Sequence, residues 1–580
     1  MADTISITAI AVVLVLLVLL LRSLRGPQPL IRGPPRDSLI AGNLAQLFSP
    51  GGMEYHEGFT KEYGNALEIY GLFGEKQFFI SDAQAISTIL NNPDTFHETK
   101  AFRSIARLIF GSSLFAATGF DHKKLRRTLN PVFATRHIRD LLPIFHAIAR
   151  QLQTGLLEDI RSRASASHRH SKSASSDVGR EKVLSAELNV LDWVLRTALD
   201  LIGLGGLGYD FGALKGTHDP YSETARHLLP TVSEVSFITP FLHILMKFGS
   251  ASFRRLLVGM IPIPAVRRFK EVVDVMDETA NRVYWKKKEA VSKLLTEEDN
   301  AEAMAELKDV MSLTLASNMQ NPRLTDEELV AQMSTMIFAA LDTTSGAIVR
   351  TLQLLSTRPA IQDRLRNELT EAKAAKSGED LDFDTLDGLP YLDAVCAEVL
   401  RLHPPVPFMS RTSQTPFVLP LATPAPASRS KEASHLNALP LPAGTTVYLS
   451  IQGVNRDPNI WGLDADEFRP DRWLVDDDTD ADASANDREA DKERLRKAKK
   501  EVPSLWSSVL SFSAGPRGCI GFKFGLVEMK VVLSTLLPSF RFKPSDTEIE
   551  WHLSLTQAPH VDMEGKKVPG LPLVVEVIEA

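Results

Sequence analysis

Cysteine is scarce: the 580-residue chain carries two, Cys396 and Cys519. Two thiols build neither a disulfide framework nor a Cys-rich zinc site, so a reducing compartment fits and each thiol can be weighed singly. Positive charge is not in excess either. Lys and Arg number 65 against 72 Asp and Glu, a formal net charge of -7, and no basic stripe runs along the chain. A nucleic-acid partner requires phosphate-neutralising cations, and this composition argues against one. What remains is an ordinary globular mixture, 44% hydrophobic and 24% charged, able to bury a large core.

The amino terminus holds the longest apolar run, residues 5–21, broken only by Ser6 and Thr8 and followed by Arg22 and Arg25. A bilayer span needs about 17 to 25 apolar residues, and cations on the carboxyl side place the remaining chain in the cytosol. A cleaved signal needs basic residues before the apolar core and small residues at a cleavage site, and this end has neither. The expected organisation is a membrane anchor over residues 1–25, a Pro/Gly-rich tether over 26–36 and a catalytic domain over 37–580. Proline fixes φ and removes a donor, so the tether is stiff and non-helical.

Beyond the tether, helical periodicity dominates, as in residues 329–356 and 392–402. Strand-like stretches are short: 67–70, 77–80, 447–451 and 573–578. The fold class is therefore mainly α with small β-sheets. Residues 162–177 (Ser, Ala and His), 414–439 (Pro and Ala) and 476–500 (acidic, then basic) read as mobile surface insertions, too polar or irregular to offset ordering entropy. His168 and His170 lie in the first of these and read as a solvated tract rather than as metal ligands.

Cys519 sits in Phe512-Ser-Ala-Gly515-Pro-Arg517-Gly-Cys519-Ile-Gly521, a glycine-rich turn just before an apolar helix over residues 522–537. Backbone N–H groups and the positive helix end favour a thiolate there. Glycines at 515, 518 and 521 allow φ > 0 and close approach to a flat cofactor, and Arg517 can pair with an anionic group on it. The segment resembles the haem-binding loop of the cytochrome P-450 family at all five fixed positions, Phe512, Gly515, Arg517, Cys519 and Gly521. The resemblance implies a cytochrome P-450 fold, preceded here by a single N-terminal transmembrane helix. It also implies haem b as cofactor, with Cys519 as the axial ligand of its iron.

Three further segments match in the family's order. Glu398-Val-Leu-Arg401 and Phe468-Arg-Pro470-Asp-Arg472-Trp473 resemble the Glu-x-x-Arg helix and the later loop that adds a second Arg, implying a structural network of Glu398, Arg401 and Arg472. Ala339-Ala340-Leu341-Asp342-Thr343-Thr344 resembles the oxygen-activating helix, implying proton delivery by Asp342 and Thr343, with Ala340 where the family usually has Gly. A plainer role for Thr343 is a hydrogen bond to the carbonyl one turn back, compatible with the first. Finally, His122 and Arg126, four apart on one helix face, match the family's pair that holds a haem propionate, joined by Arg517 and by Arg411.

Gly203-Leu-Gly205-Gly-Leu-Gly208 satisfies the dinucleotide pattern, but helical periodicity precedes it where a strand is required, so these glycines are expected to end a helix. With no flavin or nicotinamide site evident, the resemblance implies electrons from NADPH through a separate cytochrome P-450 reductase, with cytochrome b5 as a further partner. It also implies a single-pass protein of the endoplasmic reticulum membrane, its catalytic domain cytosolic. The expected activity is insertion of one oxygen atom from O2 into a lipophilic substrate, terpenoid, sterol-like or polycyclic aromatic. Residues 105–115, 235–246 and 404–409, with Leu555 and Thr556, correspond to the family's substrate-contacting regions. Two other readings stay open: a haem-thiolate hydroperoxide isomerase or dehydratase needing no reductase, and a non-catalytic haem-binding membrane protein. Cys396, beside Glu398 and Arg401, reads as a small buried hydrophobe.

Overall fold

Long amphipathic helices bury one face each against the next, and short strands close the margins. The computed structural model describes residues 30–170, 184–217, 251–296, 307–428, 435–475 and 485–578, with isolated positions between 224 and 249. The helices that matter for the site are α1 (Lys100–Phe110), α2 (Gly119–Leu129), α3 (Thr135–His170), α4 (Asp326–Ser356), α5 (Pro390–Leu402), α6 (Ala485–Glu501) and α7 (Phe522–Leu536). The mainly helical expectation with small sheets holds. No helix among the described residues is long and apolar enough to cross a membrane, and the apolar run over 5–21 lies outside them.

Local sequence explains why α4 starts where it does. Thr325 accepts from the Glu328 amide while the Glu328 side chain accepts from the Thr325 amide, a reciprocal cap, and Asp326, Glu327 and Glu328 meet the positive helix end. The helix then runs 31 residues with most positions buried. Leu341, Ile348 and Leu352 of α4, Phe145 and Leu152 of α3, and Phe524 and Val531 of α7 join one core. That core fixes α4 and α7 against each other.

The strands are β1 (Ala66–Tyr70), β2 (Lys76–Ile80), β3 (Phe96–His97), β4 (Ser185–Asn189), β5 (Phe408–Ser413), β6 (Phe417–Pro426), β7 (His435–Leu441), β8 (Thr446–Ser450), β9 (Phe540–Pro544), β10 (Glu550–Leu553), β11 (Gln557–Met563), β12 (Lys566–Pro569) and β13 (Pro572–Val577). A five-stranded sheet has the order β1-β2-β8-β5-β3, with β2 and β8 parallel and the other pairs antiparallel. Its β3 and β5 carry two residues of the site, Arg411 within β5 and Glu98 just after β3.

The segments expected to be mobile insertions carry structure wherever they are described. Residues 162–170 continue α3, whose described range ends at His170. Residues 417–426 and 435–441 pair as an antiparallel ribbon that buries Leu419, Leu421, Leu439 and Leu441. Pro and Ala in the composition concealed this alternation of buried leucines. Residues 485–501 form α6, whose buried Asp491 takes two hydrogen bonds of 2.7 Å from Arg469. The Arg469–Asp491 ion pair docks that helix together with a short apolar edge of Leu495 and Ala498, so a polar composition was a poor guide. Residues 171–177, 429–434 and 476–484 lie outside the description.

The glycine pattern at 203–208 behaves as a helix end. The helix Val190–Leu201 passes into a π-helical turn, Ile202–Leu207, and Gly208 closes it at φ 58°. Helix, not strand, feeds the first glycine, which removes the geometry that cradles a pyrophosphate.

Candidate active site

The loop around Cys519 is held open by its own backbone. Leu510–Phe512 and Gly515–Arg517 are single 3₁₀ turns, and the Cys519 amide donates to the Phe512 carbonyl at 2.9 Å. Only Gly515 of the three loop glycines needs the left-handed region, at φ 68°, where a Cβ would also lie 2.5 Å from the Leu90 carbonyl oxygen. Gly518 and Gly521 have negative φ, so the expectation of φ > 0 fails for them. Gly518 is needed for space, since a Cβ there would lie 2.9 Å from Leu505. Ser513, at φ 58°, supplies the second left-handed turn residue.

Cys519 keeps accessible surface although protein atoms crowd around it. That burial raises the thiol pKa, against the Gly521 amide and the Arg126 charge, which both lower it. The Gly521 amide thus acts in the expected direction, toward the thiolate, and burial opposes it. Metal coordination removes a thiol proton outright. Cys396 is fully buried and pushed up to about 12 by that burial, as expected of an inert core thiol.

Behind the loop lies a buried polar network. Glu398 is inaccessible and accepts five hydrogen bonds: from Arg401 Nε (2.8 Å) and Nη2 (2.9 Å), Arg472 Nε (2.9 Å), the Arg469 amide (3.0 Å) and Trp473 Nε1 (3.1 Å). Although burial pushes the Glu398 carboxyl up, hydrogen bonding and charge from Arg401 and the charge of Arg472 hold it below its ordinary value. Arg401 also donates to the carbonyls of Asn455 and Ala465. Asn455 in turn accepts from the Leu510 amide at 2.8 Å and donates to Ser511 at 3.0 Å. The chain Glu398, Arg401, Asn455, Leu510 thus links the network to the Cys519 loop. Asn455 had no sequence signal; it lies in a mixed polar and apolar stretch, residues 450–459, that matches no motif.

On the other side, α4 runs past α7, where Glu528 lies near Thr344 with both carboxylate oxygens buried and without a hydrogen-bond partner among the described residues. In a helix that is otherwise mostly buried, residues 338–340, 342 and 343 keep partial exposure, as residues lining an internal space do. Burial raises the Asp342 carboxyl to about 7. Thr343 Oγ1 donates to the Ala339 carbonyl at 2.6 Å, the plainer role expected for it. Glu528, 1% exposed, is pushed well above the carboxylate range by burial. The sequence reading missed it because one Glu in an apolar helix resembles a solvated position. Phe110 and Phe115 pack on Phe338 with ring centroids 5.0 and 6.3 Å away, giving the space an aromatic wall.

The four cationic or imidazole residues expected at the cofactor edge divide into two groups. Arg411 and Arg517 share one carboxylate, Glu98 Oε1, at 3.4 and 2.5 Å. His122 is close enough to Arg517, Glu98 and Arg411 to be affected by them, and burial first, then Arg517, lowers it to about 4, leaving it neutral. Arg126 points elsewhere, donating to the Gly518 carbonyl at 2.5 Å and to Asn130 at 2.8 Å. His122 and Arg126 also line a shallow pocket with Lys123, Asn130, Gly515 and Pro516. Glu98 was not foreseen, since one acid after a two-residue strand carries no pattern.

These residues fit a flat, dianionic iron porphyrin. The Cys519 thiol is accessible, aromatic side chains cluster at the partly exposed stretch of α4, and the buried polar atoms Arg103 Nε and Glu98 Oε2 lack partners among the described residues. A cofactor carboxylate supplies the acceptor that Arg103 Nε requires, and Glu98, an acceptor itself, balances the arginines around it.

A sequence model of cytochrome P450 matches residues 32–559. Cytochrome P450 monooxygenase 91 of Postia placenta is 36% identical over 561 residues, covering 96% of this chain and 95% of its own. Cytochrome P450 monooxygenase 212 of the same fungus is 35% identical over 94% of this chain and 92% of its own. The ganoderic acid synthetase of Ganoderma lucidum is 33% identical over 96% and 95%. Proteins of this family bind haem b through a cysteine thiolate and take NADPH electrons by way of a reductase. The chain belongs to the cytochrome P450 family and is a haem-thiolate monooxygenase.

Proposed function

We propose that the protein hydroxylates or epoxidises a lipophilic, terpenoid, sterol-like or polycyclic aromatic molecule in fungal-type secondary metabolism. The observation that carries this reading is the accessible thiol of Cys519 in the loop before α7, the helix that packs on α4, whose partly exposed Phe338 meets Phe110 and Phe115. The resemblance to a relative named for ganoderic acid synthesis supports a biosynthetic role. Thr556, buried, and Leu555, 41% exposed, sit in the turn before β11 and extend the candidate substrate surface. Residues 404–409 adjoin it through the hydrogen bond from the Gln557 amide to the Pro405 carbonyl. Residues 235–246 lie largely outside the described residues.

Each residue then has a role in the chemistry. Cys519 would hold the haem iron through its thiolate, and Phe512, Gly515 and Gly521 shape the loop that presents it. Arg126 braces that loop through the Gly518 carbonyl and places a positive charge beside the sulfur. Arg411, Arg517 and the neutral His122 receive the haem carboxylates. Glu398, Arg401 and Arg472 hold the loop from behind through Asn455. When bound, haem supplies the redox chemistry that activates dioxygen. Asp342, protonated up to about pH 7, would hold the proton as the acid, and the Thr343 hydroxyl would be its relay.

An anchor over residues 1–25 and a tether over 26–36 place the catalytic domain, 37–580, on the cytosolic face of the endoplasmic reticulum. There it meets a separate reductase and cytochrome b5. The experiment is a product screen of membranes carrying the protein with and without a reductase, fed terpenoid, sterol and polycyclic substrates. Oxygenated product that requires both NADPH and reductase supports the proposal. Turnover without reductase favours a hydroperoxide isomerase, and haem binding without substrate-dependent oxygen uptake favours a non-catalytic protein.

A further inference from the structure

Among the groups that the family motifs do not assign, Glu98 is the most constrained. It follows β3 directly, is 6% exposed, and precedes Thr99, whose hydroxyl caps α1 by accepting from the Phe102 amide at 3.2 Å. Its backbone is therefore fixed on both sides, by the β3·β5 pairing and by the helix cap. Its Oε1 takes Arg517 Nε at 2.5 Å and Arg411 Nη2 at 3.4 Å, whereas its Oε2 is buried with no partner in the protein. Two guanidiniums sharing a buried site repel each other, and removing the shared carboxylate leaves that repulsion uncompensated.

The charges around Glu98 make a simple inventory. Arg411, Arg517 and Arg103 contribute positive charge; Arg103 stands close enough to depress both Arg517 and His97, and its Nε is buried without a partner. His97 and His122 are both lowered by burial, so they add little positive charge at neutral pH. Glu98 offsets one of the three arginines, leaving two positive charges, the number that the two carboxylates of haem b neutralise. Arg126 stands apart, bonded to the Gly518 carbonyl and lying beside Cys519.

Resting on the reading that Arg411 and Arg517 receive the haem carboxylates, we propose that Glu98 is a positioning residue for the haem. Its carboxylate clamps the two guanidiniums in place, and its fixed negative charge lowers the reduction potential of the iron. No motif carries this role, because the residue acts through arginines that lie more than 300 positions away in sequence.

The test uses the full-length holoprotein as wild type, Glu98→Gln and Glu98→Asp. Three readouts are compared: the thiolate band of the reduced carbon monoxide complex, the reduction potential, and the rate of haem transfer to a scavenger such as apomyoglobin. Glu98→Gln removes the charge. At an effective dielectric near 20, a unit charge about 10 Å away changes electron uptake by about tenfold, so the potential should rise by about 59 mV. Glu98→Asp keeps the charge but shortens the reach, so the potential should stay near wild type while haem leaves several-fold faster.

An unchanged or lower potential in haem-loaded Glu98→Gln overturns the proposal. If Glu98→Gln takes up no haem, Glu98→Asp decides: faster haem loss at wild-type potential sustains the clamp, and wild-type haem retention overturns it. Should neither variant hold haem, cooperative melting of both apoproteins sustains the role and loss of fold in both overturns it. A wild-type protein lacking the thiolate band refutes the underlying haem reading separately, before any variant is compared.

Discussion

Glu398→Gln keeps the shape of the side chain and removes its charge, leaving Arg401 and Arg472 buried beside a neutral amide. Both arginines are at most 2% exposed, and all five hydrogen bonds to Glu398 converge on two oxygens. The amide can accept on only one side and presents two donors to donors on the other. Breaking one partner of a buried ion pair costs about 3 to 5 kcal/mol, more than the roughly 1 kcal/mol of a single ordinary hydrogen bond. Against a typical domain stability of about 5 to 15 kcal/mol, the folded-to-unfolded ratio falls roughly 10²- to 10⁴-fold. The Cys519 loop should loosen as well, because Arg401 reaches it through Asn455. Urea denaturation followed by the thiolate band of the carbon monoxide complex reads both effects: a lower midpoint with little change in slope. The pH dependence has a definite sign. The wild-type carboxyl is depressed, so its contribution is present above the unfolded value and fades as pH falls through the folded one. The gap between wild type and variant should therefore narrow in acid. A loss below about 1 kcal/mol, or a gap that widens in acid, refutes the reasoning.

Three other expectations are more local. Thr343→Ala leaves the helix and the thiol loop untouched, so haem content should hold while product per NADPH consumed falls and hydrogen peroxide rises; unchanged coupling would reduce Thr343 to its bond with the Ala339 carbonyl. Asp342 is raised to about 7, so its wild-type stability contribution is full below about pH 4 and is lost as pH climbs to 7. Asp342→Asn removes that slope: thermal melts should show the variant gaining on wild type over this range, by about 4 kcal/mol at most, and a parallel pair of curves would contradict the assignment. Cys396→Ala should retain the thiolate band, and in the wild type Cys396 should resist alkylation at pH 8 until the fold opens, since burial pushes it up to about 12. Rapid labelling of native Cys396 would show that the site is not sealed.

How much was legible beforehand depends on whether a residue acts through its neighbours in sequence. α4 and α5 announced themselves by apolar periodicity to within three residues, at 329–356 against Asp326–Ser356 and 392–402 against Pro390–Leu402. Glu398 and Arg401 lie one turn apart, and Cys519 lies in a loop whose residues all contribute locally. Glu98 and Asn455 were missed because their partners come from distant segments, Arg411 and Arg517 for the first, Arg401 and Leu510 for the second, and Glu528 because its burial is set by packing of α7 against distant helices. Composition also misled at 414–439, where buried leucines at alternating positions outweigh the prolines between them. In each case long-range packing decided the outcome, and local pattern carries no record of it.

The central claim is that Cys519 is the iron ligand. Its most direct measurement is the absorption spectrum of the reduced carbon monoxide complex for wild type, Cys519→Ser and Cys396→Ser. A hydroxyl does not ionise near neutral pH and is a poor donor to iron, so the red-shifted thiolate band should be present in wild type and in Cys396→Ser. It should be absent in Cys519→Ser. Persistence of the band in Cys519→Ser, with its loss in Cys396→Ser, would contradict the account.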